Sequence, residues 1–265
     1  MTTQTACASG TATVQEIFSG IQGEGILVGV RQVFLRLYGC GLHCRYCDTP
    51  ASRGMPPMFC RVERAAGSRE IAMPPNPLTV AEVLAAVARL QAGFPHHSLS
   101  LTGGEPLHWR AFLDALLPAL PALGLPSYLE TNGTLAEEMA ALALPPDYIA
   151  MDIKLPSVTG EAGLWAPHTA FLAAAVRRLG AADLCRRLQV KIVFGEESLE
   201  DIAHAAELIA AYRRDLPCVL QPVTPRGDGP AAPSPQTVLE AQRLAAAVLS
   251  DVRVIPQTHV QLGQW

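Results

Sequence analysis

From Thr79 to the C-terminus, short apolar runs rich in β-branched residues alternate with longer segments of helical spacing. This alternation restricts the fold more than any other feature. "TVAEVLAAVARLQA" (79–92) reads as a helix opened by a capping box, with Thr79 as N-cap and Glu82 three places on. "SLSLT" (98–102), "SYLE" (127–130), "DYIAMDIK" (147–154), "RLQVKIVFG" (187–195), "CVLQPV" (218–223) and "VRVIP" (252–256) read as strands. Helices are expected between and after them, over 109–120, 135–142, 168–179, 199–215 and 237–250. Strands of about five apolar residues separated by helices form parallel sheets, because a parallel connection must cross a face of the sheet. Upstream, "ATVQEIF", the Gly-rich "SGIQGEGILVG" and "QVFLRLYG" read as a strand pair across 12–38. The expected fold class is α/β: six or seven βα units in a barrel or an open arc of one, a partial (β/α) barrel in a single domain over 1–265.

Residues 50–78, rich in Pro, Gly and Arg, show no periodicity and read as an irregular insertion. The rest of the composition is globular, with 49% hydrophobic and 17% charged residues. A net charge of −4 without a long basic run points away from a nucleic-acid surface. No apolar stretch reaches the roughly 18 residues that span a bilayer. The N-terminus lacks the basic start and apolar core of a secretory signal. Seven cysteines, an odd number, without an export signal argue against a disulfide framework. The expected compartment is a reducing cytoplasm, where clustered thiols hold metal.

In βα folds the chemistry gathers at the C-terminal ends of the strands. Here Cys40, Cys44 and Cys47 follow "VFLRLYG", "GGEP" (103–106) follows "SLSLT", and "TNGT" (131–134) follows "SYLE". The next strand ends in Asp152 and Lys154, and a later one in Gln221 and Pro222. Left-handed turns and helix caps account for part of this bias. The thiols admit two readings. Joined by Cys60, they would make a four-thiolate structural zinc site. Alone, they would hold an iron–sulfur cluster with one iron left open to a small molecule. A plain ferredoxin cluster fits less well, since its four cysteines usually occur in tighter motifs.

The run "YGCGLHCRYCDTP" (38–50), C-x-x-x-C-x-x-C with Tyr46 before the last cysteine, resembles the signature of the radical S-adenosylmethionine (SAM) enzymes. "TGGEP" (102–106) resembles that superfamily's motif for the SAM amino group. "EIFSGIQGEG" (16–25), "VFLRLYGC", "CDT" and the C-terminal "VIPQTHVQLGQW" together resemble the 7-carboxy-7-deazaguanine synthases, over nearly the whole chain. The resemblance implies a lyase that converts 6-carboxy-5,6,7,8-tetrahydropterin to 7-carboxy-7-deazaguanine by radical ring contraction with loss of ammonia, on the way to queuosine and other deazapurines. It also implies a [4Fe–4S] cluster, SAM, Mg2+, an external electron donor of flavodoxin or ferredoxin type, and a homodimer. No residue stands out as a general base.

By the same resemblance, Cys40, Cys44 and Cys47 bind the cluster, and Thr49 is a magnesium ligand shared with the substrate carboxylate. Tyr46, Gly103, Gly104, Glu105, Asp152, Lys154, Gln221 and Pro222 serve SAM. Ile21, Gln22, Gly23, Arg36, Thr102, His259 and the terminal carboxylate of Trp265 serve the pterin. The residue types suit these roles. Glycine lets backbone approach a ligand closely. Glu105 can accept from the SAM ammonium, and magnesium takes oxygen ligands and keeps waters. Arg36 lies in an apolar strand, opposite the face of Val33, Leu35 and Leu37, and needs a partner or an opening. Blander roles exist as well. Thr49 can cap a turn, Arg36 can form a structural salt bridge, His259 and Trp265 can simply pack, and Gln221 and Pro222 can end a strand.

The chain departs from the family pattern in places. Asp152 stands where many relatives carry a small hydroxyl residue. Asp48 suits orienting the loop or backing up the metal. The insertion after Thr49 is longer than in many relatives, and Cys60 has no family role. That segment is expected to cover the site. Two alternatives remain: a glycyl-radical-enzyme activase, and a zinc-stabilised binding module without catalysis. The "QGEG" loop, Thr49 and the histidine near the C-terminus favour a small pterin over a protein substrate.

Overall fold

The computed structural model describes residues 10–161, 163–227 and 229–263. The first third contains β1 (Thr11–Ala12), β2 (Val14–Ile21), β3 (Arg31–Leu37), β4 (Arg61–Glu63), β5 (Ile71–Ala72), β6 (Leu78–Thr79) and α1 (Val80–Gly93). Next come β7 (Leu99–Gly103), α2 (Arg110–Leu116), β8 (Ser127–Thr131), α3 (Ala136–Ala141), β9 (Tyr148–Ile153), α4 (Pro156–Thr159) and α5 (Trp165–Leu179). The chain continues through α6 (Leu184–Arg187), β10 (Leu188–Phe194), α7 (Leu199–Ala210), β11 (Cys218–Pro222), α8 (Pro235–Ala246), β12 (Val252–Val254) and α9 (Thr258–Gln261).

Ten strands form one sheet in the order β12-β11-β10-β9-β8-β7-β3-β2-β4-β5. From β3 through β7 to β12 every neighbouring pair is parallel, as the alternation predicts. Among the described residues β12 pairs only with β11, so the arc is open. β2 runs antiparallel to β3, the expected strand pair. The parallel strands β7 to β11 are largely buried on both faces, which is why the runs read as nearly continuous apolar. One set of alternate residues packs outward against the helices: Val33, Leu35 and Leu37 on β3, Ile149, Met151 and Ile153 on β9, and Val190 and Ile192 on β10. They meet Val83, Val87 and Leu90 of α1, Phe112 of α2, Phe171 of α5 and Ile202 of α7 in one core. The other set faces the hollow of the arc, where the polar side chains lie.

The helix boundaries differ from expectation where proline intervenes. The helix predicted over 109–120 is α-helical only to Leu116 and then tightens into a 3-10 turn over Leu117–Leu123. Pro118 and Pro121 have no N–H to continue the α ladder. The capping box at Thr79 and Glu82 forms in full. The largest correction concerns 50–78. It is not irregular throughout: β4 joins β2 in parallel, β5 pairs with β4, and β6 pairs with β1. Cys60, Val62 and Leu78 enter the apolar core. Strands of two or three residues leave no local period to read.

Candidate active site

The hollow of the arc is a cavity of about 580 Å³. The strands feed it with alternate side chains: Phe34 and Arg36 from β3, Thr102 from β7, Tyr128 and Glu130 from β8, Ala150 and Asp152 from β9, and Gln189, Lys191 and Val193 from β10. The loop after β2, with Gln22, Gly23 and Glu24, crosses the hollow toward β10, where Gln189 Oε1 accepts the backbone N–H of Ile26 at 2.7 Å.

Cys40, Cys44 and Cys47 line one end of this cavity, on the loop that leaves β3. Burial pushes the Cys40 and Cys44 thiols up, and the Lys154 ammonium pulls both the other way. Three soft donors converging on a cavity wall, near a cation, suit a cluster that carries negative charge. Cys60 does not line the cavity. It is fully buried in the apolar core, where burial pushes its thiol up to about 12. The fourth-ligand role weighed for it in a zinc site is not realised.

The glycines of "GGEP" press against the base of this loop. Gly104 N donates to Leu37 O at 3.0 Å, and Glu105 N to Gly39 O at 2.7 Å. A Cβ on Gly103 would lie 2.0 Å from Leu37 O, and one on Gly104 2.1 Å from Gly39 O. Gly103 also has φ +135, which other residues rarely adopt. Both glycines line the cavity, but the Glu105 side chain does not. Its oxygens accept from Asn132 N at 2.7 Å, Thr131 Oγ1 at 2.9 Å and Leu107 N at 3.1 Å. Burial pushes its carboxyl up to about 7 against those three bonds. The carboxylate therefore ties two strand ends together.

A chain of charges runs along the cavity wall. Lys154 Nζ donates to Asp152 Oδ2 at 2.6 Å and stands 5.4 Å above the Tyr46 ring. Asp152 Oδ1 lies 3.3 Å from Lys191 Nζ, which is ion-paired with Glu24. Burial works against both lysines, but the carboxylates beside them hold their ammonium groups well above the usual range. Burial would likewise raise Glu24, yet Lys191 and a bond from Gln257 bring it well below the usual carboxylate range. Gln257 Nε2 reaches Glu24 Oε1 at 2.6 Å, and Gln221 Nε2 reaches it at 3.3 Å.

The rest of the cavity wall carries Glu130 and the Arg36–Glu16 pair among neutral hydrogen-bonding groups. Glu130 accepts from Gln22 Nε2 at 2.9 Å, Ser100 Oγ at 2.8 Å and Thr102 Oγ1 at 3.1 Å. Arg36 Nε donates to Glu16 Oε1 at 2.7 Å, so the bland salt bridge exists and still faces the cavity. Thr49 does not cap the turn that follows it, and its hydroxyl faces the cavity 3.8 Å from Cys47 Sγ. His259 packs on Gly23 so closely that a Cβ there would lie 2.2 Å from Nδ1. Glu24, Asp48 and His259 bring ligand atoms within 4.8 Å of one another at this mouth.

Of the residues singled out in the sequence, Cys40, Cys44, Cys47, Tyr46, Thr49, Gly103, Gly104, Asp152, Lys154 and Gln221 line one cavity with Ile21, Gln22, Gly23, Arg36, Thr102 and His259. Glu105 and Pro222 do not line it, and Trp265 lies outside the described residues. Within 50–78 only Arg61 lines it, so the segment is not the cover expected of it. Sequence reasoning missed Glu24, Glu130, Gln189 and Lys191. Their one signal is a polar residue at an alternate position of an otherwise apolar strand, or beside a glycine.

The chain matches the radical SAM superfamily over residues 35–209. It is 45% identical over 256 residues to a 7-carboxy-7-deazaguanine synthase of Geobacter sulfurreducens, covering 96% of this chain and 98% of that one. It is 33% identical over 266 residues to one from Methanothermobacter thermautotrophicus, covering 95% and 97%. The crystal structure of QueE from Escherichia coli superposes with a TM-score of 0.55 at 20% identity, over 93% of this chain and 94% of that one, a likeness of fold.

Proposed function

Because the chain belongs to the radical SAM superfamily, and within it to the 7-carboxy-7-deazaguanine synthases, we propose that its cavity holds SAM at the thiol end and 6-carboxy-5,6,7,8-tetrahydropterin at the end of Gln22, Thr102 and Glu130. It is a radical SAM enzyme of deazapurine biosynthesis, a lyase for which the family implies a [4Fe–4S] cluster and SAM. The reaction assigned to it is contraction of the pterin to 7-carboxy-7-deazaguanine with loss of ammonia. One observation carries this reading: three cavity thiols and a separate hydrogen-bonding wall share one hollow.

Cys40, Cys44 and Cys47 supply three thiolates for the cluster. Held there, the cluster would supply the one-electron reduction of SAM on which radical SAM chemistry depends. Asp152 and Lys154 offer one charge of each sign to the SAM amino acid and ribose. Gly103 and Gly104 bring backbone to the same place. At the other end, Glu130 offers acceptors to the amino edge of the pterin, and Gln22 fixes that carboxylate. Arg36 faces the same space. Thr49, with its hydroxyl free of capping duty, is the magnesium ligand assigned here, and Asp48 lies beside it. Oxygen ligands and retained waters suit that ion. Gly23 seats His259 against the substrate loop. The terminal carboxylate of Trp265 is assigned to the substrate as well.

The reading also carries an external one-electron donor, a homodimer and a cytoplasmic setting. Among the described residues no helix is long and apolar enough to cross a membrane. The test is chemical. Anaerobically reconstituted protein should hold about four iron and four sulfide per chain, as three thiolates of this spacing imply. With SAM, reductant and the carboxy-tetrahydropterin it should release ammonia and the deazaguanine, read by mass. Zinc without iron sinks the reading, and light scattering checks the dimer.

A further inference from the structure

Among the described residues of 50–78, Arg61 alone lines the cavity. The strand that carries it explains why. Cys60 and Val62 are buried in the apolar core, so alternation along β4 turns Arg61 to the opposite face, the cavity side. β4 joins the sheet with Arg61 in register with Glu16 of β2, Glu16 with Arg36 of β3, and Arg36 with Thr102 of β7. Thr102 Oγ1 in turn donates to Glu130 of β8 at 3.1 Å. Side chains from five strands thus form one layer across the hollow, Arg61–Glu16–Arg36–Thr102–Glu130, and all of them line it.

The layer is polarised. At one end two arginines flank one glutamate, which leaves one positive charge in surplus. At the other end Glu130 is a carboxylate held by neutral donors. Glu16 Oε1 takes Arg36 Nε at 2.7 Å, so the charge of Arg36 is matched and Arg61 supplies the surplus. The positive end adjoins the turn of Thr49. Ser52 N donates to Thr49 O at 3.0 Å, and Ser52 Oγ donates at 2.7 Å to Oε1 of Gln15, the neighbour of Glu16. A flat molecule with a carboxylate at one end and an amino edge at the other matches this polarity in one orientation only.

We propose that Arg61 is a specificity-determining residue of the substrate site. Its guanidinium pairs with the 6-carboxylate of the pterin and makes the site prefer an anionic 6-substituent over a neutral one. The assignment rests on the pterin reading of the cavity. An incoming carboxylate would otherwise meet an Arg36 already paired with Glu16, whose own charge repels it. A guanidinium matches a carboxylate with two parallel hydrogen bonds, and such charge-assisted bonds are about twice as strong as neutral ones. The contact comes from the segment after Thr49, through an edge strand of three residues.

The test is anaerobic equilibrium dialysis of the cluster-loaded protein with SAM and Mg2+ but no reductant, so that bound pterin does not turn over. Two ligands are compared, 6-carboxy-5,6,7,8-tetrahydropterin and its 6-carboxamide, on the wild type, Arg61→Gln and Arg61→Lys. Arg61→Gln should raise Kd for the carboxylate about tenfold and leave that for the carboxamide unchanged. Added salt should weaken carboxylate binding less in this variant than in the wild type. Arg61→Lys keeps the charge without the planar fork, so it should lose less and still favour the carboxylate. An unchanged Kd for the carboxylate in Arg61→Gln overturns the assignment. So does an equal rise for both ligands in the two variants, which would make Arg61 a structural partner only. Either result, with the carboxylate still bound by the wild type, removes Arg61 and leaves the pterin reading standing. A wild type that binds neither ligand removes both.

Discussion

Glu105 Oε2 accepts the backbone N–H of Asn132 at 2.7 Å, joining the loop after β7 to the loop after β8. The other oxygen holds Thr131 and Leu107, so all three partners are donors. Glu105→Gln replaces one acceptor oxygen with an amide NH2 that faces a buried donor. Leaving such a group unsatisfied costs about 1–3 kcal/mol. We expect a lower urea midpoint with an unchanged m-value, and weaker SAM binding because Gly103 and Gly104 lose their support. An unaltered midpoint would remove the tie from the fold.

Glu130 makes a different prediction. Among the described residues it has three neutral donors and no ion pair. If it reads the amino edge of the pterin, Glu130→Gln weakens a hydrogen bond to a charged acceptor, worth about 1.5–3 kcal/mol. KM for the pterin should rise about tenfold or more while kcat changes little. An analogue lacking the exocyclic amine should lose its disadvantage in the variant. Parallel loss for both compounds would mean that Glu130 only holds Gln22 in place.

These two acids also mark how far the sequence could be read. The thiols were legible because their spacing is local and the chemistry needs them close together. Thr49 was legible as a cavity residue for the same reason. Glu130 in "SYLE" and Lys191 in "QVKIV" look like the outward polar positions of any half-exposed strand. Only the curl of the sheet turns that face inward onto a cavity. Glu105 was legible as a motif, but its bonds to Asn132, Thr131 and Leu107 were not, because the motif does not say which way its side chain turns. The β4 and β5 strands were invisible for want of length.

Lys191 stands between Glu24 and Asp152 and is ion-paired with both, Asp152 sharing it with Lys154. Lys191→Met leaves the Glu24 carboxylate without its cation, while Asp152 keeps Lys154. Removing one partner of a buried pair costs about 3–5 kcal/mol, most of it from the charge left behind. Glu24→Gln should cost less, because Asp152 still holds the ammonium. The double variant should recover part of the loss of Lys191→Met. Urea unfolding of the four proteins gives the coupling, and strict additivity would mean that the pair is not one unit.

His168 links the ends of two strands through both ring nitrogens. The backbone N–H of Lys154 donates to Nε2 at 2.9 Å, and Gly133 O lies 2.9 Å from Nδ1. A backbone N–H can only donate and a carbonyl can only accept, so the ring is neutral with its proton on Nδ1. The residue is fully buried, and burial lowers it from 6.5 to about 4. Its folded value lies below its unfolded value, so the unfolded chain binds more protons between those two pH values. Stability is therefore present in full above 6.5 and is lost as pH falls toward 4, by about 3 kcal/mol in all. His168→Gln keeps a donor and an acceptor but cannot titrate. The difference between wild-type and variant stability, measured by urea unfolding from pH 7 to pH 4, should shrink across that window. A difference that stays flat with pH would show that His168 binds protons equally in the folded and unfolded chain.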